Sequence, residues 1–202
     1  MTTSAELPAG FADRVLSAQT TFRTVMDAMA RPGTVRRVTA GVGTPPSLMR
    51  GTAAIALTLF DQDTPIWLDG GMAATPDIAK WLKFHCGAPV IADCSVCSFA
   101  LASHGDALPA FDRFSLGSNE YPDRSTTLIV QVESLTEGWS YELRGPGIDG
   151  TAMLRAVIAP DDLFERHAIN ATLFPRGLDV VLVHDDAVVA IPRTTRLVAK
   201  GG

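Results

Sequence analysis

Lysine is almost missing from this sequence of 202 residues: only Lys80, Lys83 and Lys200 occur. A phosphate-binding P-loop needs a lysine in G-x-x-x-x-G-K-[ST], and a pyridoxal-phosphate enzyme needs one for its Schiff base. Lys80 and Lys83 fall off the apolar face of a helical pattern and Lys200 lies in the terminal tail, so neither mechanism is expected. Cysteine is also sparse, and the three present cannot all pair with one another; a disulfide framework is not expected. The longest mostly apolar run, residues 53–60 (AAIALTLF), is far short of the roughly 20 residues that cross a bilayer, which excludes a membrane-spanning helix. Residues 1–10 contain no basic residue and no long apolar stretch. They lack the features of a secretion signal, and a cytoplasmic protein with a flexible segment at 1–10 is expected. The 17 Lys and Arg residues are outnumbered by 22 Asp and Glu, giving a net charge of −5, and no basic stripe is present. Nucleic acid is therefore not an expected partner.

What the chain does have is a high hydrophobic content, 47%, in a length suited to one domain spanning 1–202. Phe11, Val15, Ala18, Phe22, Val25, Met26 and Met29 recur at steps of three and four, which predicts a helix with that face in the core. Arg31-Pro32-Gly33 ends it, and a strand is predicted at 34–39. Ser47 is placed to cap a second helix running to about Phe60, followed by a buried strand at 64–69. Thr75-Pro76 starts a third helix whose stop is Gly87. Strands are predicted at 89–92, 97–102, 126–132 and 139–144, a helix at 160–172, and a closing hairpin with strands at 179–184 and 187–191 around Asp185-Asp186. Alternating helices and strands with a hairpin near the end predict a layered α/β domain with a mixed sheet.

Several motifs carry chemistry only in part. Residues 145–150 (GPGIDG) satisfy G-x-G-x-x-G after a predicted strand, but no helix opens there and the expected acidic group is missing from the end of a next strand, so a plain turn is favoured over a dinucleotide site. Cys94 and Cys97, near Cys86, His85 and His104, resemble half of a zinc site without its second knuckle; buried thiols are favoured. The four histidines and the serines form no nucleophile elbow or triad spacing. Asp61 and Asp63 could pair carboxylates for acid–base or metal work, or simply lie in a solvated loop or at a helix C-terminus, which is the commoner case. The richest segments are Phe174-Pro175-Arg176-Gly177-x-Asp179 and Ile191-Pro192-Arg193-Thr194-Thr195. Each could offer a guanidinium and hydroxyl donors to a phosphate or a partner's carboxylate; the competing reading is a structural ion pair such as Arg176 with Asp179.

These two segments are also similar to motifs of the H subunit of the bacterial carbon–phosphorus lyase system. The resemblance extends to Phe22-Arg23, Ala28-Met29-Ala30-Arg31-Pro32-Gly33, the stretch from Leu57 to Leu68 around Asp61-x-Asp63-Thr64-Pro65, Phe84-His85, Thr127-Leu128-Ile129 and Leu143-x-Gly145-x-Gly147-Ile148, in order along nearly the whole chain. It implies a fold similar to pyridoxal-phosphate-dependent transferases but without the cofactor, and a role in using phosphonates as a phosphorus source. It further implies action with the G, I and L subunits when a phosphonate displaces adenine from ATP, a homodimer in isolation, and membership of a core with the G, I and J subunits. The cysteines are not part of that family pattern. Two roles are then open for the chain: contributing Arg176, Asp179, Arg193, Thr194, Thr195, Asp61 or Asp63 to a ligand or partner site, or serving as a non-catalytic scaffold.

Overall fold

Four short runs in the chain are apolar almost throughout, the pattern of parallel strands covered on both faces: β2 (Ile66–Leu68), β4 (Phe99–Ala102), β5 (Thr127–Gln131) and β8 (Asp179–His184). In the computed structural model, which describes residues 7–105, 108–158 and 162–201, they form the middle of a seven-stranded sheet in the order β1-β9-β8-β5-β4-β2-β3. The edge strands are β1 (Arg36–Arg37) and β3 (Val90–Ile91), and β9 (Ala187–Ile191) alone runs against the other six. A second, three-stranded antiparallel sheet has the order β10-β6-β7, from β6 (Ser134–Arg144), β7 (Ala152–Val157) and β10 (Arg196–Gly201).

Side-chain alternation on the central strands sends residues to two cores. Leu101, Ile129, Val181 and Val183 pack against one helical layer, α1 (Arg14–Ala30), α2 (Arg50–Leu59) and α4 (Pro76–Cys86). Ala100, Leu128, Val130, Val180 and Leu182 pack against Tyr141, Leu143 and Leu154 of the small sheet and Leu163 and Phe164 of α5 (Leu163–Ala171). A four-residue helix, α3 (Gly70–Ala73), follows β2. The result is a three-layer α/β structure with a mixed sheet.

Local chemistry explains the boundaries. Asp13 caps α1, its side chain accepting from the Leu16 amide at 2.9 Å. Pro76 occupies the first turn of α4, and Gly87 ends it at φ +74°.

Several expectations need correction. The first helix buries Thr21, Val25 and Ala28, while Val15, Phe22 and Met26 of the expected core face are exposed; the apolar stripe is wider than the strip the sheet covers. Ser47 does not cap α2. It sits at φ +68° with its carbonyl accepting from Gln131 Nε2 at 3.0 Å, and the helix begins three residues later. The strand expected at 34–39 shrinks to two residues, and that expected at 97–102 starts at Phe99 because Cys94–Val96 forms a 3-10 turn. The strands β7 and β10 were not foreseen. The predicted helix start at 160 and 161 lies outside the described residues, as do residues 1–6 of the segment expected to be flexible. Residues 7–10 are held: the Pro8 carbonyl accepts from Trp81 Nε1 at 2.9 Å and lies 3.0 Å from His85 Nε2.

Candidate functional site

The turn that follows α1, the start of β8 and the end of the reversed strand β9 all fall at the amino edge of the parallel strands. That edge gathers the segments 28–33, 145–148, 174–179 and 191–195. Gly33 donates its amide to the Ala190 carbonyl at 3.2 Å. Gly147, at φ +82°, approaches the end of α1 so closely that a β-carbon would overlap the Ala30 carbonyl oxygen. Two recesses of about 440 and 490 Å³ open here. Phe174 and Thr194 line both, so the two form one groove divided by the Phe174 ring.

Arg193 is the hub of the wall. Its Nε and Nη2 grip the two carboxylate oxygens of Asp179 at 3.2 and 2.6 Å, Nη1 donates to the carbonyls of Pro122 (2.9 Å) and Pro175 (3.2 Å), and Nη2 also reaches Ser125 Oγ at 2.6 Å. The Arg193 amide adds a 2.8 Å bond to Asp179 Oδ1. All five guanidinium hydrogens are thus spent inside the chain. Arg193 and Asp179 side chains are only 12% and 17% exposed. The ion pair considered from sequence, Arg176 with Asp179, does not form: Asp179 is taken by Arg193, and Arg176 is exposed on the neighbouring turn. Thr195 is fully buried behind the hub, and its carbonyl accepts from His167 Nε2 at 3.1 Å. Burial holds His167 below the ordinary histidine range, and its Nδ1 and the Thr195 hydroxyl have no partner among the described residues.

Asp61 and Asp63 lie apart, before β2 and three strand positions from β8. Asp61 accepts from Thr64 Oγ1 at 2.6 Å and from the Asp63 amide at 3.0 Å, bonds that lower its pKa while it remains exposed. The pair closes a turn. Cys94, Cys97 and Cys86 each bond a backbone carbonyl, and among the described residues no group of three His, Cys, Asp or Glu side chains could hold a metal. Residues 145–150 connect β6 to β7 and open no helix.

At the opposite, carboxyl edge a wider cleft of about 760 Å³ was not foreseen; this is where α/β sheets usually take ligands. Ser103, His104 and Gln131 line it. Gln131 clamps its rim, accepting from the Met49 amide at 2.8 Å. Buried Asp69 underlies it, accepting from the Met72 amide (2.7 Å) and from the amide and hydroxyl of Ser103 (2.7 and 2.6 Å). The signal available in sequence was polar residues terminating apolar strands: Asp69 after Ile66–Leu68, Ser103 after Phe99–Ala102, and Gln131 ending Thr127–Gln131. Neither Lys80 nor Lys83 lines either site. Lys80 pairs with Asp77 at 3.6 Å, Lys83 donates to the Gly87 carbonyl at 3.3 Å, and Lys200 belongs to β10.

The segments gathered at the amino edge are among those whose pattern resembles a known family, and comparison with known proteins finds that family over nearly the whole chain. The family model for PhnH, bacterial phosphonate metabolism protein, matches residues 9–198. The chain belongs to the PhnH family. A PhnH relative from Rhizobium meliloti (strain 1021), named alpha-D-ribose 1-methylphosphonate 5-triphosphate synthase subunit PhnH, is 43% identical over 198 residues, covering 98% of both chains. HtxG of Stutzerimonas stutzeri, provisionally described as a C-P lyase subunit protein, is 32% identical over 201 residues, 98% of this chain and 95% of its own.

Proposed function

We propose that this chain is a subunit of the carbon–phosphorus lyase system that serves phosphonate catabolism, acting with the G, I and L subunits where a phosphonate oxygen attacks the anomeric carbon of ATP. In that step the N-glycosidic bond breaks, a C–O bond to the phosphonate forms, and adenine leaves, giving a ribose 1-phosphonate 5-triphosphate. The observation that carries the reading is the end-to-end 43% identity to a relative named as a synthase subunit. The chain takes part by binding and assembly: its most buried arginine is committed to Asp179 and neighbouring carbonyls, and Lys80 and Lys83 stand away from both clefts.

The finer reading follows the same line. The chain works in the cytoplasm, has a layered architecture like that of pyridoxal-phosphate-dependent transferases without using the cofactor, and joins a core with the G, I and J subunits. Exposed Val15, Phe22 and Met26 on one side of α1 support a homodimer when those partners are absent. The test is reconstitution. The G, I and L subunits with this chain should release adenine from ATP in the presence of methylphosphonate and should not do so without it, and tagged chain should copurify with G, I and J. Adenine release undiminished without the chain refutes a part in the step. Copurification combined with that result leaves the scaffold role, which the internally committed Arg193 favours.

A further inference from the structure

Beyond the Arg193 hub, the groove at the amino edge holds two guanidiniums that strand register forces together. β10 pairs antiparallel with β6, and Arg196 stands directly opposite Arg144. Like charges facing each other across neighbouring strands repel. Glu142 offsets part of this by accepting from Arg144 Nε at 2.8 Å and Nη2 at 2.7 Å. Arg196 is exposed and has no ion-pair or hydrogen-bond partner for its side chain among the described residues. One cation in excess is therefore left on the rim, and Arg144 Nη1 is still available beside it.

Both arginines line the recess of about 490 Å³, with the Gly145-Pro146 turn and Thr194. Gly145 adopts φ +143°, and a β-carbon there would stand 3.0 Å from the Thr194 carbonyl oxygen; glycine lets the turn close against Thr194 at this point. The far wall is Phe174, 64% exposed. Across that ring the groove changes character, with Met29, Pro122, Pro175 and Pro192 lining most of the adjoining 440 Å³ beside Asp123 and the Asp179–Arg193 pair. One half thus offers forked donors and positive charge suited to phosphoryl oxygens. The other offers a bare aromatic face and apolar walls suited to a flat ring.

We propose that this groove binds a nucleoside polyphosphate, the phosphates on Arg196 and Arg144 and the base against Phe174. The proposal rests on the reading above that the chain serves a step consuming ATP, and it assigns the nucleotide to a definite place on this subunit.

Binding to the full-length chain is measured by calorimetry with three probes: ATP, tripolyphosphate and adenosine. ATP should bind more tightly than either fragment. Arg196→Ala should weaken ATP and tripolyphosphate by about tenfold, the worth of one charge-assisted contact, and leave adenosine unchanged. Phe174→Ala should weaken ATP and adenosine and leave tripolyphosphate unchanged. Arg155→Ala, an exposed arginine on the same outer face of the small sheet opposite Ser140, should change nothing. Arg196 and Phe174 both lie at the surface, so unchanged melting temperatures will show that the variants are folded. The proposal is overturned by an absence of ATP binding at millimolar concentration, by tripolyphosphate binding as tightly as ATP, or by equal losses in the Arg155 and Arg196 variants. Any of these, with adenine release in the reconstituted system still dependent on the chain, refutes the nucleotide groove and leaves the subunit role standing.

Discussion

Replacing Arg193 by alanine should damage the fold more than any other single arginine substitution. Its side chain and that of Asp179 are 12% and 17% exposed, so removing the guanidinium leaves a carboxylate that water can barely reach. It also strips partners from the carbonyls of Pro122 and Pro175 and from Ser125 Oγ. Breaking a buried pair by deleting one member costs about 3–5 kcal/mol. In a domain of this size each kcal/mol lowers the melting point by about 2–4 °C, so a fall of about 6–20 °C is expected. Lysine should recover little, because one ammonium cannot face two carboxylate oxygens, two carbonyls and a hydroxyl that approach from the plane of a guanidinium. Asp179→Ala should cost a comparable amount. In the double variant the losses should be well short of additive, since each single change strands the other's charge. Differential scanning calorimetry on the four proteins is the assay. A drop below about 2 °C for Arg193→Ala, or strict additivity in the cycle, would refute the view of this residue as a structural hub.

Stability should also depend on pH through His167. Its folded pKa lies below the unfolded value of 6.5, so above that value neither state carries the proton and nothing is lost. As pH falls below 6.5 the unfolded chain takes up a proton that the buried ring resists, and stability declines; His167→Gln should flatten the melting temperature between pH 7.5 and 5.5 relative to the native chain. Gly147→Ala should destabilise by about 1–3 kcal/mol, from the positive φ and the clash with Ala30, visible in urea titration. Burial pushes the thiols of Cys86 and Cys97 up to about 11, so alkylation of both by iodoacetamide at pH 8 should be slow in the native chain and rapid in denaturant.

Much of the central sheet was legible in the sequence because its strands are apolar runs bounded by turn residues. The hairpin at Asp179–His184 and Ala187–Ile191 was read to the residue, since Asp185-Asp186 interrupts two continuous runs of Val, Leu and Ala. The small sheet was half missed. Strand β7 alternates buried and exposed residues such as Leu154 and Met153, and the arginines on the outer face of β7 and β10 masked the pattern. The core face of α1 was misread because its apolar residues cover more of the helix circumference than the sheet buries. For the candidate site, sequence brought Asp179, Arg193 and Thr194 into view through proline and glycine neighbours, but could not say that Asp179 would choose Arg193 over Arg176. That choice is made by β9 returning beside β8, a tertiary pairing without a local signal. Asp69, Ser103 and Gln131 were overlooked because single polar residues at strand ends look like ordinary boundaries.

The reversed strand has a consequence for how the chain acquires its structure. β9 pairs on one side with β8 across a tight turn, and on the other with β1, where Arg36 meets Val188. The first pairing closes a loop of two residues and can form as soon as the hairpin exists; the second must wait until almost the whole polypeptide is available. During synthesis the helix α1 can pack on α2 early, but its contact with β9 must wait for the end of the chain. Until then the side of α1 that faces β9 has no strand to lie on, exposed apolar surface of the kind that makes folding intermediates prone to aggregation.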